Sequence, residues 1–403
     1  MRLFAAVPAT PVLLPEGWAT HGVNNFTALS GAKGAAGFAI NGSTYAIVAA
    51  HGANGVQLID ISDPSLPVAV GAATGHDVFG APSCVEVFAI GRATYAALFG
   101  DSRAVLLDVS DPSAPVVVSV MTDTTVGGVA TLSGLLRGTV FTVGESTYVI
   151  VGTTNHGIQL IDVSNPAVPA LASAIDGLSI DPTDIAVALV GNATYAVVTG
   201  SSWGGAQVLD ISNPSAPVHA PVGWASDNLY GFAELDGAFG VDVFAIGSAS
   251  YAIVAAASGV QLINISDPSL PRAAGWATDG VNGFTALGGA REVDVFAAGG
   301  STYAVVAATA DSGGVQLIDI SDPSQPVAVV AATAGVGGVA TLHSPEDVDI
   351  VTIGSALYAI AASYDDHGVQ LIFLGCSDGY VWEPAVPQRC AEPNVPYARL
   401  WLK

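Results

Sequence analysis

Hydrophobic residues in this chain come in short, strand-length runs that are separated by turns rich in glycine, proline, asparagine and aspartate. A typical stretch reads TYAIVAA, then GVQLIDI, then an Asp-Pro turn and a further extended segment. β-Branched and aromatic residues in runs of this length predict strands, and helix-period stretches are lacking. The pattern therefore predicts an all-β protein.

One unit of this pattern recurs seven times along the chain. Each copy carries a tyrosine in its second strand, and neighbouring tyrosines stand 47 to 56 residues apart. The tyrosines are Tyr45, Tyr95, Tyr148, Tyr195, Tyr251, Tyr303 and Tyr358. This period is close to that of one propeller blade. Each unit is predicted to form four antiparallel strands, A to D, and the chain a seven-bladed β-propeller.

The seventh unit lacks a strand D of its own. Residues 17–32 (GWATHGVNNFTALSGA) match residues 275–290 (GWATDGVNGFTALGGA), which follow strand C of the fifth unit. We therefore expect the N-terminal segment to complete blade seven and close the ring, which removes exposed sheet edges. The predicted organisation is an arm at 1–10, the propeller at 11–374 and a tail at 375–403.

Composition narrows the possible partners. With 34 acidic against 10 basic residues, the formal net charge is −24, so phosphate backbones and anionic lipid surfaces are repelled. Nucleic-acid binding is therefore not expected. The apolar runs are too short and too often interrupted to span a membrane as a helix.

Two cysteines in the proline-rich tail suggest a covalent link. Cys376 and Cys390 are close in sequence, and a disulfide between them would hold a segment that has no sheet and would indicate an oxidising compartment. Two unpaired thiols are the alternative. Cys84 is expected to be a small buried residue.

Repeated acidic positions provide the candidate chemistry. Glu86, Asp242, Asp294 and Asp349 occupy equivalent positions at the start of strand A, and Asp184, Glu292 and Asp347 lie two residues earlier in the alignment. These carboxylates are expected to ring the mouth of the central channel, where oxygen ligands could hold Ca²⁺. In blade seven, Asp347, Asp349, Asp365 and Asp366 form the densest group. The alternative is a solvated acidic rim.

Two further sets of residues point to an exported protein that makes contacts. Four sequons place acceptor asparagines at Asn25, Asn41, Asn192 and Asn264, of which Asn41 and Asn192 lie at predicted hairpin tips. Apolar residues outside the ring, among them Phe4, Trp382, Tyr397 and Trp401, must pack either on their own propeller or on another copy as assembly arms.

The repeat resembles a known family. GVQLIDISDPSLPV at 55–68 and GVQLIDISDPSQPV at 314–327 are similar to the LVIVD repeat, and the resemblance covers nearly the whole chain. It implies a propeller of exported or surface proteins of bacteria and archaea, usually without a defined activity, and it supplies no functional residues to carry over. Blade seven departs from the motif after Ile372.

Motifs of nucleophilic, zinc-dependent or nucleotide-dependent catalysis are absent from the sequence. We therefore expect a non-enzymatic extracellular or cell-surface propeller that binds protein or glycan, or other copies of itself in a surface assembly. The alternative is a metal-dependent propeller hydrolase for a lactone, ester or sugar, with its site at the channel mouth.

Overall fold

The computed structural model describes residues 11–122, 132, 135–153, 157–201, 204–310, 313–377, 381–382 and 390–391. For residues 135–136, 219–222, 381–382 and 391, only the backbone is described. Within these ranges the chain forms seven four-stranded antiparallel sheets. The predicted seven-bladed β-propeller is therefore confirmed. Phe4, Tyr397, Trp401 and the side chain of Trp382 lie outside the described residues.

Blades one to three follow one another along the chain, each in the strand order A to D. Blade one consists of β2 (Ala32–Ile40), β3 (Ser43–Ala50), β4 (Gly55–Asp60) and β5 (Val68–Thr74). A short helix, α1 (His76–Phe79), precedes blade two, which consists of β6 (Pro82–Ile90), β7 (Ala93–Gly100), β8 (Arg103–Asp108) and β9 (Val116–Met121). Blade three consists of β10 (Leu135–Val143), β11 (Ser146–Thr153), β12 (Gly157–Asp162) and β13 (Ala170–Ile175).

Blades four to six have the same order. Blade four consists of β14 (Pro182–Val190), β15 (Ala193–Gly200), β16 (Gly205–Asp210) and β17 (Val218–Ser226). Blade five consists of β18 (Val241–Ile246), β19 (Ala249–Ala256), β20 (Gly259–Asn264) and β21 (Arg272–Thr278). Blade six consists of β22 (Ala290–Ala298), β23 (Ser301–Ala308), β24 (Gly314–Asp319) and β25 (Val327–Thr333).

Blade seven combines the two ends of the propeller sequence. Its strands are β26 (Pro345–Ile353), β27 (Ala356–Ser363), β28 (Gly368–Cys376) and, at the outer position, β1 (Leu14–Thr20). β1 runs antiparallel to β28, with Trp18 opposite Gln370 and Ala19 opposite Val369. Two short strands of the tail, β29 (Val381–Trp382) and β30 (Cys390–Ala391), pair with each other.

The core consists of hydrophobic layers between neighbouring blades. Strands B and C contribute fully buried residues such as Ile47, Leu58 and Val105, because the sheets are covered on both faces by their neighbours. The repeated tyrosine has a local partner. In blades one, two, three, five and six it packs at 5.5–5.8 Å against a phenylalanine directly opposite on strand A.

The Asp-Pro turns between strands C and D have the structural role that their sequence indicates. The Oδ1 atom of Asp63 accepts hydrogen bonds from the backbone N–H of Ser65 at 3.0 Å and from its hydroxyl at 2.6 Å. Asp111, Asp267 and Asp322 bind the serine two residues later in the same way. These aspartates stabilise turns, as their spacing predicts.

No helix in the described part of the chain is long and apolar enough to cross a bilayer.

Candidate functional site

A cavity of about 320 Å³ is enclosed by the innermost strands of the seven blades. Alternate residues of a strand point the same way, so positions two residues apart on strand A form two rings, and blades one and five have a glycine at the first of them. The first ring contains Cys84, Arg137, Asp184, Glu292 and Asp347. The second ring, two residues later in each strand, contains Ala36, Glu86, Thr139, Ala186, Asp242, Asp294 and Asp349.

The structure brings five of the seven candidate metal ligands to this cavity. They are Glu86, Asp242, Asp294, Asp347 and Asp349. Asp365 and Asp366 do not line it. Asp365 accepts a hydrogen bond from the Ser344 hydroxyl at 2.5 Å, and Asp366 accepts one from the backbone N–H of His343 at 2.8 Å. The acidic residues of blade seven therefore belong to two separate places, the cavity and a loop.

The cavity aspartates bind the backbone of the next blade. In the second ring, Oδ2 of Asp242 accepts from the N–H of Val295 at 2.9 Å, and Oδ2 of Asp294 accepts from Ile350 at 2.8 Å. In the first ring, Oδ2 of Asp184 accepts from Val241 at 2.9 Å. Each acceptor thus contacts the residue that follows the corresponding ring position in the neighbouring blade.

This arrangement satisfies an unpaired sheet edge. Strand A is the inner edge of its blade, so its inward N–H groups have no strand to bind, and a buried N–H without a partner is costly. The junction of blade seven with blade one carries two such bonds, from Ala35 to Asp347 at 2.7 Å and from Gly37 to Asp349 at 2.6 Å. The aspartates therefore connect neighbouring blades through hydrogen bonds.

Arg137 places a positive charge among the carboxylates. Its guanidinium, from blade three, forms an ion pair with Glu292 of blade six, contacts Asp347 of blade seven at 3.2 Å and donates to the Glu346 carbonyl oxygen at 2.8 Å. Both ion pairs are almost completely buried. Arg137 thus connects blades across the cavity that share no strand pairing.

Burial makes the carboxylates reluctant to ionise. It raises the pKa of Glu86 to about 8, that of Asp349 to about 7 and that of Asp242 to about 6, and neighbouring carboxylates add to the shifts. Burial also raises the pKa values of Asp184, Glu292, Asp294 and Asp347, against the lowering effect of Arg137 on all of these except Asp294. The carboxyls of the cavity therefore keep their protons to higher pH than exposed carboxyls do.

These properties do not fit a calcium site. Ca²⁺ is bound by six to eight oxygen ligands, commonly ionised carboxylates, whereas here aspartate oxygens accept backbone N–H groups and Arg137 contacts two of the acids. Among the described residues, no three His, Cys, Asp or Glu side chains are grouped so as to hold a metal ion. The donor set instead suits a network of hydrogen bonds within the protein.

Sequence reasoning missed a glutamine that holds the loops between blades. In strand C of blade five, Oε1 of Gln261 accepts from the N–H groups of Ala233 and Glu234, at 2.9 and 3.2 Å, and Nε2 donates to the Gly275 carbonyl oxygen at 2.8 Å. Gln57, Gln316 and Gln370 form equivalent contacts in their blades. The signal was present, because a buried glutamine inside the repeated GVQLID strand needs partners.

Blade two has no glutamine at this position. Val105 occupies the corresponding position, and the loop that precedes blade two contains α1. An aliphatic side chain cannot bind the loop backbone, and the loop there has its own helical hydrogen bonds instead. In blades one, five, six and seven the glutamine therefore holds the loop that enters its blade.

The other predicted sites are at the periphery. Asn25, Asn41 and Asn192 are exposed, and Asn41 lies at a hairpin tip with φ of 52°. Cys376 and Cys390 form a disulfide that joins the end of β28 to β30. Cys84 is free and buried, and burial raises its pKa well above the ordinary value.

Solved structures with the same fold differ widely in sequence. One is a functionally unknown protein from Desulfotomaculum acetoxidans DSM 771, with 13% identity and a TM-score of 0.52, over 78% of this chain and 91% of that one. Another is a protein provisionally named as a 6-phosphogluconolactonase from Bacteroides uniformis ATCC 8492, with 14% identity and a TM-score of 0.56, over 82% and 89% of the two chains. At this identity the likeness concerns the fold alone.

Comparison with curated proteins gives no match. The family model of the LVIVD repeat matches residues 35–74, 94–123, 145–176, 185–220 and 294–332. The matched segments fall in blades one, two, three, four and six, each across the strand B to strand D region that contains the repeated tyrosine and the Asx-Pro turn. The chain is a seven-bladed β-propeller that contains LVIVD repeats.

Proposed function

We propose that this propeller is a non-enzymatic interaction module that works outside the cell, where it contacts protein or glycan as a subunit of a surface assembly. The observation that carries the proposal is the use of the cavity carboxylates. They accept five hydrogen bonds from backbone N–H groups of neighbouring blades and form buried ion pairs with Arg137, so they serve as structural groups. A hydrolase would need them free for a metal ion or a water nucleophile.

The outer surface supports a role in contacts. Three tryptophans, Trp18, Trp224 and Trp276, stand on the outer strands of blades seven, four and five, each about half exposed. Aromatic side chains are enriched in binding surfaces because they offer a large contact area for little loss of conformational freedom.

Export is supported by covalent chemistry. A disulfide between Cys376 and Cys390 persists in an oxidising compartment. Exposed acceptor asparagines at Asn25, Asn41 and Asn192 are accessible to glycosylation. Fractionation of the native cells tests this part: the proposal requires the chain in the exported or surface fraction, with the disulfide formed.

Assays for hydrolase activity test the proposal, because a metal-dependent hydrolase is the alternative function. The wild-type protein and the Asp349→Asn variant should show the same rates, at background level, with lactones, esters and glycosides. EDTA should leave the melting temperature of the wild-type protein unchanged. Turnover that disappears in Asp349→Asn while that variant stays folded, together with a metal found by elemental analysis, would disprove the proposal. Capture of a defined glycan or protein by the wild-type chain would support it.

A further inference from the structure

A groove of about 510 Å³ lies between the outer strands of blades four and five. Trp224 and Tyr230 come from blade four and its following loop. Leu270 and Pro271 come from the turn before strand D of blade five, and Arg272 is the first residue of that strand. Tyr230 is 91% exposed and Trp224 is 47% exposed. This blade 4–5 groove therefore presents two aromatic rings and one guanidinium to solvent.

The internal repeats provide a control for each residue of the groove. Trp18 and Trp276 occupy the position of Trp224, and six residues later the chain has Asn24 and Asn282 where blade four has Tyr230. All three residues adopt left-handed backbone angles, with φ of 48°, 52° and 52° respectively. Asparagine tolerates this conformation, whereas a bulky tyrosine does so at a cost.

A second departure from the repeat falls in the same groove. At the first residue of strand D, blades one, two, four and six have exposed valines, Val68, Val116, Val218 and Val327, and blade five has Arg272. Although the chain carries 34 acidic residues, no described Asp or Glu lines the groove. A strained exposed aromatic and a lone cation in one place indicate a binding site for an apolar ligand with one negative charge.

We propose that the blade 4–5 groove binds the tail segment 392–396 of a second copy of this chain. The segment reads Glu-Pro-Asn-Val-Pro. Two prolines at this spacing favour the polyproline II conformation, and aromatic-lined grooves recognise such segments. Glu392 supplies the negative charge that matches Arg272, and an arginine–carboxylate contact gives both strength and orientation. This inference rests on the assembly role proposed above.

The chain's own charge supports this choice of occupant. The net charge of −24 makes two copies of the chain repel each other. A second copy is therefore bound only where its local charge complements that of the groove. Residues 392–403 hold one acidic and two basic residues and are therefore less acidic than the rest of the chain. A similar five-residue sequence, Glu-Pro-Ala-Val-Pro, occurs at 383–387, between β29 and β30. We assign binding to the sequence at 392–396, which follows β30.

Geometry favours binding between molecules over binding within one. The tail begins beside blade seven, since the Ser355 hydroxyl donates to the carbonyl oxygen of Cys390 and a disulfide joins Cys390 to β28. Five extended residues after β30 reach about 17 Å. The groove is at the outer rim across the ring, on the order of 30 Å away if strands are about 4.8 Å apart and four form each blade. A tail thus reaches the groove of a neighbour but not its own.

A charge exchange in the full-length chain tests the proposal. Sedimentation equilibrium over a concentration series should show Arg272→Glu and Glu392→Arg each weakening self-association about ten-fold or more, with near wild-type association when both are combined. Tyr230→Asn, which introduces the residue found in the sister repeats, should fold normally and also weaken association. Trp276→Ala, at the equivalent position of blade five, is the matched control and should have no effect.

A competition experiment gives a second measurement. A synthetic peptide of residues 392–403 should dissociate wild-type assemblies, and the same peptide with Glu392→Arg should not. A chain that stays monomeric and fails to bind the peptide overturns the inference, as does association that Arg272→Glu and Tyr230→Asn leave unchanged. Neither outcome decides whether the propeller is an interaction module. That proposal is tested separately, by capture of other proteins or glycans and by the hydrolysis assays.

Discussion

Glu86→Gln should make the propeller more stable at alkaline pH. The substitution keeps the size of the side chain and removes a carboxyl that burial holds at a pKa of about 8, against an ordinary value of 4.5. When the chain unfolds, this carboxyl loses its proton to water. A glutamine has no proton to lose, so the variant isolates the contribution of that one ionisation.

The sign follows from the raised pKa. The folded state holds the proton more tightly than the unfolded state, so unfolding becomes easier as pH rises from 4.5 towards 8. With these two pKa values, ionisation of Glu86 costs the wild type roughly 3–4 kcal/mol of stability between pH 5 and pH 8. Asp242 and Asp349, with pKa values raised to about 6 and about 7, lower the stability of both proteins over the same range.

Urea denaturation of both proteins at pH 5, 7 and 8 measures the effect. The free energy of unfolding should be similar at pH 5, and at pH 8 the variant should exceed the wild type by a few kcal/mol. Glu145→Gln makes the same substitution at an exposed hairpin tip outside the cavity and is the matched control. Wild-type stability that is flat or rising between pH 5 and pH 8, or identical curves for Glu86→Gln, would refute the reasoning.

Three further predictions concern other parts of the fold. Gln261→Leu should lower the free energy of unfolding by about 2–4 kcal/mol and speed amide exchange at Ala233 and Glu234, because their N–H groups lose a partner; unchanged exchange would contradict this. Tyr230→Asn should raise the unfolding free energy by about 1 kcal/mol in chemical denaturation, since asparagine accepts the φ of 52°. Cys390→Ser should leave the melting temperature of the propeller unchanged yet speed proteolysis of the tail, which loses its covalent link to β28.

Most of the fold could be predicted from the repeat pattern in the sequence. Strand-length apolar runs, tyrosines at blade spacing and Asx-Pro turns predicted seven four-stranded blades, because strands and tight turns depend on residues close together in sequence. The likeness of residues 17–32 to 275–290 indicated a strand D before the first blade, and β1 pairs with β28 in the structure.

The position of the cavity carboxylates also followed from alignment of the repeats. Glu86, Asp242, Asp294 and Asp349 share one position relative to the repeated tyrosine, so they stand at one level of the ring. The same alignment contained Arg137 and Cys84, at the level of Asp184, Glu292 and Asp347, but a search for oxygen ligands gave no reason to select a basic residue or a thiol.

What these groups bind was decided only by the tertiary structure. The two-residue period of a strand fixes the direction and level of a side chain within its blade, but it contains nothing about the angle between blades or the width of the cavity. Arg137 meets Asp347 across 210 residues of sequence, and Asp349 meets Gly37 across 312. Contacts at such separations depend on how the whole ring packs. In the sequence these acidic residues resemble a cation site, whereas in the packed ring they accept hydrogen bonds that connect neighbouring blades.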